Sequence, residues 1–404
     1  MTSRSLLFIS SSDWDALVTK GVTDMLLERS EGGYFSKVIS VHPLAHNSRT
    51  IPIAQNHDLI EFGFDAFPGG KSSRLLRHVY APLYILKAAW EIRRLIRIHS
   101  IDIVRASDPY WAALCGWLGS VGMSANFCIS IHADWDHFYS LDPQFGAPKI
   151  LGMRFLAKVL ESFLLKRAKC VLCIRKSLFA YAERSGARSE QLRYIPHGVD
   201  LEYFQEAPPR PNGLPQGRKL VVFAGRLSRQ NYVDDVLAVA QYLAPRGDSV
   251  VVFAGGGPEE DRLKHVVSHN PDLAHTVYFT GFVSRESVIA LRFSATVNLV
   301  PMGGYSLIEA CASGRPTVAY DVQWHSELIE DQCSGLLLSE GDVSGLARAV
   351  ESLLNDPRWA DEIGAVGRTR AFNLHNLKTV YEIRSAVYAD MINTGSGQEC
   401  FTRF

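Results

Sequence analysis

The stretch "MGGYSLIEACAS", residues 302–313, sets two glycines directly before a helical apolar pattern that carries one carboxylate, Glu309. Glycines at a helix start let a backbone come close to a ligand. The first amides of a helix have no intrahelical acceptor, and the positive end of the macrodipole stands behind them. Free N–H groups of Gly304, Tyr305, Ser306 and Leu307, with Gly303 before them, therefore suit a diphosphate. Glu309 projects from the first turn, where it is able to accept hydrogen bonds from a sugar hydroxyl. The plain alternative is that it only complements its own helix dipole. Arg226, directly after "LVVFAG" in "GRLSRQNYVDD", is a second group that seeks an anion. A guanidinium just past a strand end is placed for a bidentate grip on phosphate, against the plain alternative of a solvated loop arginine. Asp234 and Asp235 fit a helix start better than catalysis. The glycines of "GGPEEDRL" permit a tight turn and by themselves indicate no more.

In the first half, "ISIHADWDHFYSLDP" gathers His132, Asp134, Trp135, Asp136 and His137 after an apolar run. The spacing matches no standard metal site, so no metal is expected. A sugar-stacking loop fits better, because Trp and Tyr faces stack on sugars; Trp14 in "SSSDWDA" is a similar candidate. From Lys71 to Ile101 the charges are Lys71, Arg74, Arg77, Lys87, Arg93, Arg94 and Arg97 against Glu91. Pro82 fits a helix start there. Leu83, Leu86, Trp90, Leu95 and Ile96 then form an apolar stripe, with Lys87, Glu91 and Arg94 facing away. Such a helix is able to lie on anionic lipid. The alternative is an ordinary surface helix whose stripe packs on the first sheet.

These groups need elements to hold them. Short apolar runs alternate with longer amphipathic stretches: "LLFIS", "KVISVH", "DIVRAS", "FCISIH", "CVLCI" and "LRYIPHG", then "LVVFAG", "VVVFAGGG", "VYFTG", "VNLVP", "PTVAY" and "GLLL". Wholly apolar strands separated by helical spacers indicate parallel sheets covered on both faces. The proline-rich stretch "QEAPPRPNGLPQG" lies between the two sets and reads as a linker. The expected organisation is an α/β chain of two doubly wound Rossmann-like domains facing a cleft. Residues 1–204 form the first domain, 205–218 the linker and 219–378 the second domain. Residues 379–404 form a C-terminal helix packing back on the first domain, plus a tail. Sheets of this kind bind ligands at the carboxyl ends of their strands.

The 404 residues are too many for one core. Lys+Arg equals Asp+Glu at 42 each, but the charge is uneven: through Tyr203 it is 24 against 19, which favours an anionic partner for that half. Zero net charge and the lack of a recognised module argue against nucleic acid. The seven cysteines are scattered. Cys170 and Cys173 have CxxC spacing inside an apolar run that reads as buried strand, without the second ligand pair a metal needs. No run reaches the ~18 apolar residues of a membrane span, and the N-terminus is too quickly polar for a signal peptide. The expected location is cytoplasmic, with a peripheral place at the inner face of the membrane as the extension.

The order and spacing of "LRYIPHGVDLEYF", "VVFAGRLSRQ", "VVFAGGGPEEDRL", "VYFTGFVSRESV" and "GGYSLIEACASGRPTVAYD" resemble the retaining GT-B glycosyltransferases of family 4. The match runs nearly continuously from about Glu161 to Leu338. The first half is similar more loosely, through "ISIHADWDHFY" and "ESFLLKRAKCVLCIRKS". The resemblance implies transfer of a sugar from a nucleotide diphosphate, with retention and without a required metal or other cofactor, to a glycan or lipid-linked acceptor. It places the donor diphosphate on Arg226, with Gly225 and Asn231 beside it. The nucleobase lies along the backbone of Gly281, Phe282 and Val283. Gly303, Gly304, Tyr305, Ser306 and Leu307 receive the phosphates and the transferred sugar, and Glu309 the ribose hydroxyls. His132 stands near the anomeric carbon; Trp14, Asp134 and Trp135 lie on the acceptor side. The leaving phosphate gains negative charge as the bond breaks, and preorganised donors aimed at it are the main catalytic resource.

Two positions depart from the family pattern. Glutamates usually stand eight positions apart, and eight before Glu309 is Pro301. A lysine usually stands five residues after the arginine, and that position is Asn231, with Arg229 as the nearby cation able to compensate. "SSSDWDA" also lacks the paired glycines common there. These departures keep a second reading open, a non-catalytic binding or scaffold protein on the same fold. An epimerase or sugar phosphorylase is a third.

Overall fold

The computed structural model describes residues 4–20, 23–63, 74–141, 143–144 and 147–393. They divide into two compact units: the residues up to Pro196 together with those from Tyr381 onward, and His197–Val380.

The first unit is built on eight strands: β1 (Ser5–Ile9), β2 (Lys37–Ala45), β3 (Arg49–Ala54), β4 (His57–Gly63), β5 (Ile103–Ala106), β6 (Asn126–Ile131), β7 (Cys170–Cys173) and β8 (Leu192–Tyr194). Their spatial order is β3-β4-β2-β1-β5-β6-β7-β8, and β3 alone runs antiparallel, against β4. β1, β5 and β7 are buried throughout because both faces are covered. On one face Leu7, Ile9, Val104, Ile129 and Val171 pack with helices Arg74–His99 and Trp111–Ser120. On the other, Leu6, Phe8, Ile103 and Leu172 pack with Tyr388 and Met391 of helix Leu377–Asn393. Cys170 and Cys173 are buried in β7, and no group of metal-ligating side chains occurs among the described residues.

Two features of this unit depart from the sequence reading. The β3–β4 hairpin does not stand out as an apolar run. It reads "RTIPIA" and "HDLIEFG" with alternating burial, and the buried positions of β4 include His57 and Glu61. Helix Arg74–His99 begins well before Pro82, which lies inside it. Its sheet-facing side is Tyr84, Ile85, Ala88, Ala89, Ile92 and Ile96, whereas Leu83, Leu86 and Trp90 are each more than half exposed. The small residues let the helices approach closely: a Cβ on Gly119 would lie 2.4 Å from Ile92. Lys71 lies outside the described residues. No described helix is long and apolar enough to cross a membrane.

The second unit holds β9 (Lys219–Ala224), β10 (Ser249–Ala254), β11 (Val277–Gly281), β12 (Val297–Leu299), β13 (Thr317–Tyr320) and β14 (Leu336–Leu338). The order is β11-β10-β9-β12-β13-β14, with every pair parallel. From β9 the chain first winds outward through β10 and β11, then returns to β12 on the other side of β9. The carboxyl ends of β9 and β12 therefore flank the switch point of the sheet, where such folds bind ligands.

Candidate functional site

Arg226 and the two-glycine helix start follow β9 and β12, the two strands at that switch point. Arg226 is exposed, and no carboxylate among the described residues pairs with it. The backbone beneath it is tied down. Gly225 N–H donates to the Ala254 carbonyl at 2.9 Å, and the Asn231 side-chain amide donates to the Arg226 carbonyl at 2.7 Å. Asn231 thus helps to order the loop. Arg229, the suggested replacement cation, instead pairs with Glu259 at 3.3 Å.

The glycine triplet after β10 has a packing explanation. A Cβ on Gly255 would lie 2.2 Å from the Gly225 carbonyl oxygen, and one on Gly257 would lie 2.3 Å from that of Leu227. These glycines let the β10 loop dock under the Arg226 loop. After β11, Gly281 takes φ +67° and its carbonyl accepts from Gly255 N–H at 2.9 Å. Phe282 is 92% exposed, and Val283 is partly buried against the sheet.

Helix Tyr305–Ala312 is capped by the backbone of Gly304. Its amides differ from the expectation in two ways. Leu307 N–H donates to the Gly304 carbonyl at 3.2 Å, so it is not offered outward. Gly303 N–H donates to His325 Nε2 at 3.2 Å, while Nδ1 of this fully buried histidine meets the Tyr320 carbonyl at 2.7 Å. Gly303 is therefore a structural glycine, and a Cβ there would meet Val300 at 2.7 Å. Gly304 is exposed, and a Cβ there would meet nothing within 4 Å. By helix geometry the amides of Gly304, Tyr305 and Ser306 have no intrahelical acceptor. Tyr305 is exposed and edges against His197, rings 5.5 Å apart. Pro301 is buried, and its carbonyl accepts from Tyr320 N–H at 3.4 Å, so this position offers nothing to a sugar.

Glu309 is 17% exposed and stands 4.0 Å from Nε of Arg292. Arg292 is fully buried, and burial pulls its guanidinium below the usual range against the raising influence of Glu309. Sequence reasoning missed it. The signal was a lone arginine inside "ALRFSATVNLV", between a helix and an apolar strand.

In the first unit His132 follows β6 and is partly buried. Burial and the guanidiniums of Arg105, Arg384 and Arg175 push its imidazole down to about 4, so it is neutral at neutral pH. Two of those arginines share a buried carboxylate: Glu31 accepts from Arg105 at 3.4 Å and from Arg384 at 3.1 Å. Asp134 caps helix Trp135–Leu141, accepting from the amides of Asp136 at 3.0 Å and His137 at 2.9 Å, and pairs with Arg184 at 3.1 Å. Asp136 pairs with Arg154 at 3.0 Å and Lys158 at 2.5 Å, and Trp135 edges on Tyr110. Across the sheet, Trp14 N–H donates to Glu61 Oε1 at 2.6 Å, and Asp13 accepts from Ala16 N–H at 2.9 Å. Polar side chains thus shape the loop where paired glycines were missing.

Comparison with known proteins agrees with both units. Residues 204–370 match the model of the glycosyl transferases group 1, and residues 58–203 match that of Glycosyltransferase Family 4. Among curated relatives, the 2-deoxystreptamine glucosyltransferase of Streptomyces kanamyceticus is 25% identical over 290 residues, 68% of this chain and 73% of its own. The alpha-maltose-1-phosphate synthase of Mycolicibacterium smegmatis is 26% identical over 348 residues, 78% and 84% of the two chains. Among solved structures, Anabaena Alr3699/HepE in complex with UDP has a TM-score of 0.69 at 17% identity, covering 95% of this chain and 99% of that one. Sucrose-phosphate synthase from Thermosynechococcus elongatus has 0.67 at 18%, covering 97% and 100%. Similarity to enzymes across both units favours catalysis over the binding-only reading that Pro301 and Asn231 raised. With both halves matched in order and both sheets of the expected kind, the chain belongs to the GT-B glycosyltransferases of family 4.

Proposed function

We propose that this enzyme transfers a sugar, with retention, from a nucleotide diphosphate to a glycan or lipid-linked acceptor. The observation that carries the reading is the pairing of Arg226 with an outward helix tip at the switch point of the second sheet. One group offers a charged fork and the other a set of oriented amides, and together they suit a diphosphate leaving group. Open space over Gly304 leaves room for that group at the tip. Gly281, Phe282 and Val283 receive the base, and Glu309 the ribose. The UDP complex of the HepE relative supports a nucleotide donor. Trp14, His132, Asp134 and Trp135 of the first unit serve the acceptor, His132 as a neutral hydrogen-bonding group. The leaving phosphate itself helps deprotonate the acceptor, so no metal or other cofactor takes part.

The test is a screen of UDP- and GDP-sugars for donor hydrolysis and transfer, with and without a chelator. NMR of the product then reads the anomeric configuration. Hydrolysis of one donor class that persists in the chelator is expected. Failure of UDP and GDP to raise the melting temperature would end the reading, because ligand at about 100 times its Kd stabilises by about 2.7 kcal/mol.

The exposed Leu83, Leu86 and Trp90 lie on the same helix as exposed Lys87, Arg94 and Arg97. That combination supports a peripheral place on anionic lipid at the cytoplasmic face. Sedimentation with phosphatidylglycerol vesicles but not with phosphatidylcholine vesicles is expected, and equal recovery with both would sink it.

A further inference from the structure

Arg292 is the largest fully buried side chain among the described residues. An enclosed cation is costly unless its partners compensate, and a buried ion pair is a weak device for stability alone. The partners of Arg292 share one property: each belongs to a segment that presents a donor-site group. Nη2 donates to the carbonyl of Ala224 at 3.3 Å, the last residue of β9 before Gly225 and Arg226. Nη1 donates to Asn298 Oδ1 at 3.4 Å, in β12, which leads into the helix tip. Nε has no hydrogen-bond acceptor among the described residues and faces Glu309 Oε2 at 4.0 Å. Asn298 in turn donates to the Arg292 carbonyl at 3.4 Å and to Ser313 Oγ at 3.1 Å, at the far end of the Glu309 helix. One planar fork therefore bonds to the end of β9 and the middle of β12 and faces the Glu309 carboxylate across 4.0 Å. A lysine ammonium, a single point on a flexible stem, cannot reproduce that three-way geometry.

We propose that Arg292 is a positioning residue for the nucleotide site, fixing the Glu309 carboxylate against the end of β9 so that the ribose and diphosphate contacts keep one geometry. The proposal rests on the reading of Glu309 as the acceptor of ribose hydroxyls. Its signature is a preference for ribose that vanishes when either residue is changed.

The test measures affinities of the full chain for UDP, GDP and their 2′,3′-dideoxy counterparts by calorimetry. A carboxylate bonded to ribose hydroxyls gives the unmodified protein a preference of about tenfold or more for the ribose form. Glu309→Gln and Arg292→Lys each bring that preference close to unity, and the double variant is no lower than either alone. A loss of fold would lower affinity for both forms and leave their ratio unchanged, so the ratio separates positioning from stability. Should Arg292→Lys not fold, Asn298→Ala keeps both charges and removes one anchor of the fork; an intermediate preference is expected. A wild-type preference in Arg292→Lys or in Asn298→Ala overturns the proposal. Equal affinity of the unmodified protein for ribose and dideoxyribose forms also overturns it while leaving the donor site standing. No binding of any nucleoside diphosphate overturns the donor site and this proposal together.

Discussion

The side-chain amide of Asn231 donates to the backbone carbonyl of Arg226 at 2.7 Å, folding the loop after β9 back on itself. The position where the family pattern has a lysine thus supplies order in place of charge. Tyr232, next in the chain, takes φ +55° and caps the following helix Val233–Leu243, so the loop is pinned at both ends. Arg226 remains an exposed cation on a fixed base, while Arg229 is drawn to Glu259.

Asn231→Ala should therefore weaken nucleotide binding through loop disorder. One neutral hydrogen bond contributes about 1 kcal/mol, so the Kd for UDP or GDP should rise by roughly fivefold, with little change in melting temperature. Calorimetry decides it: an unchanged Kd would mean that the loop holds Arg226 without this bond.

The adjacent glycines at the helix start should separate fold from function. Gly303→Ala drives a methyl into Val300 at 2.7 Å and Leu307 at 3.0 Å, and it strains the contact with His325. Overpacking of this kind costs about 1–3 kcal/mol. Gly304→Ala meets nothing in the protein, so its stability should stay within about 0.5 kcal/mol. Its methyl stands where the diphosphate is proposed to lie, and donor affinity should fall. Urea unfolding and nucleotide titration of the pair check both halves; a Gly304→Ala protein that binds normally would move the diphosphate off the tip.

What the sequence revealed depended on how each element meets water. β1, β5, β7, β9 and β10 are buried almost throughout, so their apolar runs stand out. β3 and β4 sit at the sheet edge with a period of two, and β4 buries polar His57 and Glu61, so no run marks them. The stripe of helix Arg74–His99 misled for a related reason: alanines and isoleucines face the sheet, and larger Leu83, Leu86 and Trp90 face outward. Among the candidate site residues, Arg226, Gly304 and Glu309 were proposed from sequence because strand ends and helix starts have local signals. Arg292 and His325 were not, because their roles arise from distant partners: Ala224 is 68 residues from Arg292, and Gly303 is 22 from His325.

Glu309 shows how such a partner changes an expectation. From sequence, Glu309→Ala should cost binding and little fold. With Arg292 fully enclosed beside it, truncation leaves a buried cation without its only carboxylate among the described residues. Breaking a buried pair costs about 3–5 kcal/mol, and the partial exposure of Glu309 reduces this to roughly 2–3 kcal/mol. Glu309→Gln should recover part of the loss. A fall in the urea midpoint for Glu309→Ala checks it, and wild-type stability would show that the pair contributes nothing.

Acid should loosen the first unit through histidines that are buried neutral. His57 is 1% exposed, its Nε2 lies 2.7 Å from Ser40 Oγ, and burial together with the nearby Arg29 pushes it from 6.5 down to about 4. His132 is pushed down similarly by burial and three guanidiniums. Because the folded values lie below the unfolded one, the unfolded chain takes up these protons first as pH falls. The stabilising contribution is complete above pH ~6.5, declines between ~6.5 and ~4, and changes no further below that. For His57 the loss across this window is roughly 3 kcal/mol. Urea unfolding at pH 7, 5.5 and 4.5 should show the decline, and His57→Gln, which keeps a polar partner for Ser40 but does not titrate, should make it shallower. A variant with the wild-type slope would assign the acid sensitivity to other groups.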